Sequence, residues 1–254
     1  MELIDFNTNP FGGVIINHHA LPVDPQQFKR QLYHSMEAWR GELYKVAWLE
    51  IPIPRAALVP VAAEAGFVYH HAAEEYVMMT KQILHGAYVP PYASHYIGAG
   101  GVVLSEERDL LVVSERHRRS TGPAYKLPGG ALLPGEHLAE GVIREVLEET
   151  GVKTRFEALV CFRHWHRYRY EKSDIYFVSR LSPLSKDITM QVEELAEALW
   201  MPVDTFLGDE GVSLFNKTIV RAAMESSGMI SSFIPGYGDG DKSKYEFFLP
   251  QEVI

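Results

Sequence analysis

A chain of 254 residues with 46% apolar and 22% charged residues has the composition of a globular protein holding one large domain or two small ones. Its formal charge of −9 argues against a sequence-independent nucleic-acid binder, which needs a basic face. A single cysteine, Cys161, excludes an intramolecular disulfide framework and a thiolate metal site.

The N-terminal "MELIDFNTNPFGG" shows no basic segment followed by an apolar run, and no stretch approaches the roughly 20 apolar residues of a membrane span. The expectation is a cytoplasmic protein without a membrane partner. "GGVIIN" (12–17) reads as a strand. "DPQQFKRQLYHSMEAWRG" (24–41) reads as a helix, N-capped by Asp24, with Pro25 at its first position and Gly41 ending it. Phe28, Leu32, Ser35 and Trp39 recur at helical spacing. "YKVAWLEI" (44–51) is a strand, "PRAALVPVAAEAG" (54–66) a second helix closed by Gly66, and 67–71 with 75–83 a hairpin. Together these predict an α/β unit over 1–83. Pro90 and Pro91 make 84–94 a linker.

A second unit is expected over 95–234. Residues 96–106 and 109–116 read as a strand pair joined by a polar turn, and 138–151 as a helix. Strands follow at 155–166 and 174–181. The stretch 193–206 reads as a turn or short helix, then a strand and another helix; a last helix covers 214–226. Residues 235–254 form a C-terminal tail, whose "PGYGDGDKSK" is expected to be mobile.

Chemistry concentrates in "GGALLPGEHLAEGVIREVLEETGV" (129–152). A helix turns about 100° per residue, so Glu145 and Glu149 stack on one face and Glu148 borders it. Converging carboxylates raise one another's pKa unless a cation holds them. An all-oxygen set selects hard ions, Mg²⁺ or Mn²⁺. Arg144 stands four residues before Glu148 and can pair with it, and Glu136 can reach backbone donors or Arg144. The paired glycines bring a loop close to the helix start. Loop, helix and metal suit a phosphate chain: the metal neutralises phosphates and activates a water, which one Glu deprotonates. The competing reading of the helix alone is a solvated acidic face.

The string also matches the Nudix box, G-x5-E-x7-R-E-U-x-E-E-x-G-U, from Gly130 to Val152 without departure, with Val146 and Val152 at the apolar U positions. The chain is identified by this as a member of the Nudix family. The resemblance implies an α/β/α Nudix sandwich and Mg²⁺- or Mn²⁺-dependent hydrolysis of a nucleoside diphosphate linked to another moiety. It places Glu145, Glu148 and Glu149 as metal carboxylates with Gly130 in the metal site, and Arg144 and Glu136 as supporting residues. A second resemblance spans nearly the whole chain: "FGGV", "AAEAGFVYHHAAEEYVMM", "ASHYIGAGGVV", "YKLPGGALLPGE", "FRHWH", "KSDIYFV" and "EALWMP" resemble the pre-Nudix subgroup, which includes the antisense fibroblast-growth-factor type and the plant ADP-ribose/NADH hydrolases. This implies a small acetyltransferase-like N-terminal fold. The Gly-rich acyl-CoA loop of such folds is not visible, so the first unit reads as structural or dimer-forming. The downstream "SQPWPFPxS" string and the "LLTxR" string before the box are absent, as is a proline some fifteen residues after it. By whole-chain resemblance the substrate is ADP-ribose or NADH. The alternative is a Nudix-type sensor that binds a nucleotide without turning it over.

Outside the box, "FRHWHRYRYEK" (162–172) is basic and aromatic. Arg163, His164 and Tyr168 could stack on a base and hold phosphates, or belong to a strand end with alternating faces. Glu194 sits where some Nudix enzymes keep a catalytic Glu; the rival reading is a solvated loop carboxylate. Arg116 and Arg119, in "RHRRS" (116–120), could meet substrate phosphates or lie in a solvated turn. His164 and His166 share a strand face, but the carboxylate site already accounts for an ion. The exposed-looking "FVYHH" and "EYVMM" and a free hairpin edge predict a homodimer through the first unit.

Overall fold

The computed structural model describes residues 2–116 and 124–251. The chain divides into two compact units, Met1–Ser94 and His95–Ile254. Among the described residues no helix is long and apolar enough to cross a membrane.

The first unit runs β1 (Phe6–Thr8), β2 (Gly13–Ile16), α1 (Pro25–Gly41), β3 (Val46–Pro52), a 3₁₀ segment (Ile53–Leu58), α2 (Val59–Glu64), β4 (Val68–Ala72) and β5 (Tyr76–Gln82). The sheet order is β1-β2-β3-β5-β4, with β2 and β3 parallel across the α1 crossover. Asp24 caps α1 through the N–H groups of Gln26 (3.2 Å) and Gln27 (3.0 Å). Phe28, Leu32, Met36 and Trp39 of α1 and Ala62 of α2 are buried in one core with Leu49 and Ile51 of β3. Gly41 does not make the exit turn: it is the last helical residue, and Leu43 takes the left-handed conformation at φ +62°. The helix expected over 54–66 is divided at Val59. Pro60 has no N–H for the carbonyl four residues earlier, so one continuous α-helix cannot form there. Residues 84–94 lie back on the unit: His70 Nε2 meets the Pro90 carbonyl at 2.7 Å, and Tyr92 stacks on His71 with centroids 4.2 Å apart.

The second unit contains β6 (His95–Val103), β7 (Asp109–Glu115), β8 (Gly129–Ala131), α3 (Leu138–Thr150), β9 (Thr154–Trp165) and β10 (Ser173–Pro183). It continues with β11 (Leu195–Pro202), α4 (Val203–Gly208), α5 (Leu214–Glu225), β12 (Met229–Ser232) and β13 (Phe247–Pro250). Six strands form a sheet in the order β13-β12-β9-β10-β6-β8, and β11 pairs with β7 in a second, two-stranded sheet. Strand alternation divides the core into two layers. Ala99 and Val103 of β6 pack with Val142 and Val146 of α3, while Val102 packs with Val220 and Ala223 of α5. Gly101 lies under α3, where a Cβ would stand 2.7 Å from Leu181 and 3.0 Å from Val146. The result is a sheet between helices, the α/β/α arrangement expected.

Two expectations change here. Residues 96–106 and 109–116 are not a paired hairpin; their strands belong to different sheets and meet through a Leu104–Leu110 bridge and a bond from the Ser105 N–H to the Asp109 carbonyl. Both edges of β6 are already taken, by β10 and β8, which leaves β7 to pair with β11. The C-terminal stretch 235–254 is more than a tail: beyond the segment expected to be mobile, 235–244, β13 pairs with β12 at the edge of the main sheet. Glu246 of the same stretch accepts the N–H groups of Leu138 (2.7 Å) and Ala139 (3.2 Å), capping α3 where His137 offers no side-chain cap.

Candidate active site

Helix α3 carries the acidic side chains, and strand β8 supplies the backbone against which they pack. Gly129 sits at φ +147°, and a Cβ on it would lie 2.3 Å from the Ala99 carbonyl oxygen. Its N–H donates to Glu149 Oε2 at 2.9 Å. A Cβ on Gly130 would stand 2.5 Å from Glu145 Oε2. The two glycines therefore let the sheet edge lie directly on the carboxylates. Gly151 closes α3 in the left-handed conformation at φ +73°, its N–H donating to Leu147 O.

Arg144 ties the cluster together. Its Nε and Nη2 donate to the two oxygens of Glu136 (2.6 and 3.0 Å), and Nη1 donates to Glu145 (2.9 Å) and Glu148 (2.8 Å). A further Nη2 bond reaches Ala131 O at 3.2 Å. Glu136 also accepts the Leu133 N–H at 2.9 Å. These bonds raise the Arg144 pKa, and the bond from Arg144 holds Glu136 below the usual carboxylate range. Glu145 moves the other way: burial raises its pKa despite Arg144, which opposes the shift. Glu149 is buried, and its carboxyl is pushed up to about 7. Burial is the main cause, Lys126 and the Gly129 N–H oppose it, and Glu145 and Glu194 add to it.

Glu145, Glu148, Glu149 and Glu194 share a cavity of about 500 Å³ with Gly130 and Lys126. Glu115 and Gln191 complete its polar lining, which makes five carboxylates and one ammonium among the described residues. Such an excess of negative charge is the condition under which a hard dication is held, and carboxylates with a backbone carbonyl are the donors it prefers. Among the described residues no three acidic, His or Cys side chains stand at coordinating spacing. Arg144 engages the Glu145 and Glu148 oxygens that a dication would take. The all-oxygen donor set is of the type a hard dication takes, with Glu145 and Glu148 held by Arg144 in this arrangement.

The remaining predicted residues divide. Glu194 lies in the cavity, and its carbonyl accepts the Arg116 N–H at 2.8 Å, which places the Arg116 backbone beside it. Arg119 lies outside the described residues. Arg163, His164 and Tyr168 do not line the cavity. Arg163 is engaged by Asp174 at 2.6 Å and lies over the rings of Trp165, Tyr176 and Phe215. His164 Nε2 meets His95 Nε2 at 2.9 Å, and Tyr168 packs against Trp165 and Tyr96. Arg163, His164 and Tyr168 are thus engaged by neighbouring side chains away from the cavity.

Sequence reasoning missed Lys126, Glu115, Gln191 and Tyr176. Lys126 is fixed by two backbone bonds of 2.9 Å to Val113 of β7, and its Nζ donates to Glu115. Tyr176 is half-buried by residue, but its hydroxyl would lie 3.0 Å from a Cβ on Gly129. Burial of the phenol, with Glu149 nearby, raises its pKa. The signal for Lys126 was its place three residues before the paired glycines; the other three arrive through tertiary contacts alone.

Residues 4–83 match a family model described as the Nudix hydrolase domain, and residues 95–222 match the NUDIX domain. The chain is 39% identical over 224 residues to Nudix hydrolase 8 of Arabidopsis thaliana, covering 86% of this chain and 61% of that one, so it spans about three fifths of that relative. It is 36% identical over 219 residues to Nucleoside diphosphate-linked moiety X motif 6 of Mus musculus, covering 83% of this chain and 69% of that one. The crystal structure of MutT protein from Methanosarcina mazei Go1 is similar over 53% of this chain and 96% of its own, at 24% identity and a TM-score of 0.45. With its NUDIX match over half of the chain and these curated relatives, the chain belongs to the Nudix hydrolase family.

Proposed function

We propose that the protein hydrolyses the pyrophosphate bond of a nucleoside diphosphate linked to another moiety, with Mg²⁺ or Mn²⁺ held by Glu145, Glu148, Glu149 and Gly130. The observation that carries this reading is the meeting of those residues with Glu194 in one cavity, against a glycine strand that lets the carboxylates pack directly on its backbone. Nudix hydrolases use divalent metal ions; when bound, the ion supplies neutralisation of the phosphate charge and a more acidic water. Arg144 holds Glu145 and Glu148 together through its Nη1. Glu194 makes no ion pair among the described residues, which leaves its carboxylate to accept the proton of the attacking water. The narrower assignment to ADP-ribose or NADH is supported by the whole-chain resemblance to the pre-Nudix subgroup.

Glu148→Gln and Glu149→Gln are each expected to lower turnover by at least about a hundredfold, the scale of losing a group that acts in the transition state. Their thermal midpoints stay equal or rise, because repulsion is relieved. The assay is release of AMP from a panel of nucleotides with Mg²⁺ or Mn²⁺. Near-normal hydrolysis in both variants defeats the assignment. Ligand-induced stabilisation with no product from any nucleotide establishes the sensor instead.

A further inference from the structure

The first unit holds a cavity of about 540 Å³, within the size range of small-molecule sites. One wall is the loop 9–13. Asn9 Oδ1 accepts the N–H groups of Phe11 (3.0 Å) and Gly13 (2.8 Å), Gly12 N–H donates to the Asn9 carbonyl (3.1 Å), and Gly12 takes φ +78°. Asn9 packs so closely over Gly13 that a Cβ there would meet its amide at 2.5 Å. The loop is therefore held in one conformation, yet the side chain it presents, Phe11, is 81% exposed. Tyr88 lines the same cavity and is 78% exposed, and Trp48 of β3 provides a third ring.

Lys45 is the one charged side chain among the residues lining this cavity. Its ammonium makes no ion pair among the described residues. It lies along Gly12, its Cδ and Cε 3.5 and 3.6 Å from where a Cβ would stand. Asn9 has spent its amide oxygen on the loop and keeps its NH₂ as a donor. Three aromatic faces select a flat ring, and an unpaired ammonium with neighbouring donors selects an anion. A ligand that satisfies both is a planar ring carrying a negative group.

We propose that this cavity binds a planar aromatic anion of the nucleoside-phosphate class, its ring against Phe11, Tyr88 and Trp48 and its phosphate on Lys45. The site is built from first-unit residues alone, so it gives that unit a ligand of its own.

The test is calorimetric titration of the full chain with AMP, adenosine and inorganic phosphate in turn, with chelator present. AMP saturates the protein, and adenosine binds at least about tenfold more weakly, the loss of one charge-assisted contact. Lys45→Gln weakens AMP about tenfold and leaves adenosine unchanged, whereas Phe11→Ala weakens both. Both side chains are exposed, so an unchanged thermal midpoint verifies that the variants fold. The proposal is overturned if AMP shows no saturable binding, if its affinity survives in both variants, or if inorganic phosphate binds as tightly as AMP.

Discussion

Glu149 carries a thermodynamic cost that can be measured without knowing the substrate. Its carboxyl titrates at about 7 in the fold against 4.5 when unperturbed. Below pH 4.5 both folded and unfolded chains hold the proton, and the fold is not penalised. Between the two values the unfolded chain has released its proton while the folded chain retains it, so stability falls as pH rises. Above pH 7 the full penalty applies, about 3 kcal/mol for a shift of this size. Glu149→Gln removes it. With chelator, denaturant midpoints of this variant and the parent are expected to coincide near pH 4.5 and diverge in favour of the variant by pH 8. A dication shrinks the gap by stabilising the carboxylate. A constant difference across this range would show that burial does not govern Glu149. The meeting of Glu145, Glu148 and Glu149 was legible in sequence because helical spacing sets it, and the pairing of Arg144 with Glu136 because Glu136 stands just before the helix start, within reach of Arg144. Lys126 and Tyr176 were not, since a bridge to Val113 and pairing along β10 bring them in.

Helix α1 was readable from its Asp24 cap and its periodicity, and α3 and α5 as helical stretches without reference to caps. The short strands β8, β12 and β13 were not. β8 is three residues, two of them glycine, with almost no strand propensity of its own; its place is set by pairing with β6. β12 and β13 have four residues each. The cap of α3 was equally hidden, because the sequence around His137 lacks a capping side chain and Glu246 stands 108 residues away from Leu138. An anionic cap on two N–H groups contributes about 1 kcal/mol. Glu246→Ala is therefore expected to lower the thermal midpoint by roughly 2–4 °C, and Glu246→Gln by less, since a neutral amide oxygen still accepts. Calorimetry on the three proteins checks this. An unshifted midpoint in Glu246→Ala would mean the cap is absent in solution.

At the scale of the whole molecule, the α/β class follows from the order of strands and helices, and the helix-flanked second sheet was what the Nudix resemblance implied. Strand partners do not follow, because "GGVV" and "LLVV" are apolar on both faces and fit either a hairpin or two separate sheets. In the first unit, β4 is an edge strand with Val68 63% and Tyr69 68% exposed. An uncovered edge with large apolar side chains invites a second strand. The expectation is a homodimer through this edge, disrupted by Tyr69→Lys. Light scattering at high micromolar concentration decides: a monomeric parent, or a variant that remains dimeric, removes the edge from the assembly.

The cap on α3 also sets an order of events during synthesis. Glu246 is made 108 residues after Leu138, and at about 5–20 residues per second this is a delay on the order of ten seconds. Throughout that interval the helix bearing Glu145, Glu148 and Glu149 lacks its N-terminal partner, and β12 lacks β13. The helix bearing the box carboxylates is thus capped only after Glu246 has been made, so a chain interrupted shortly before Glu246 leaves the ribosome with every box residue present and their helix uncapped.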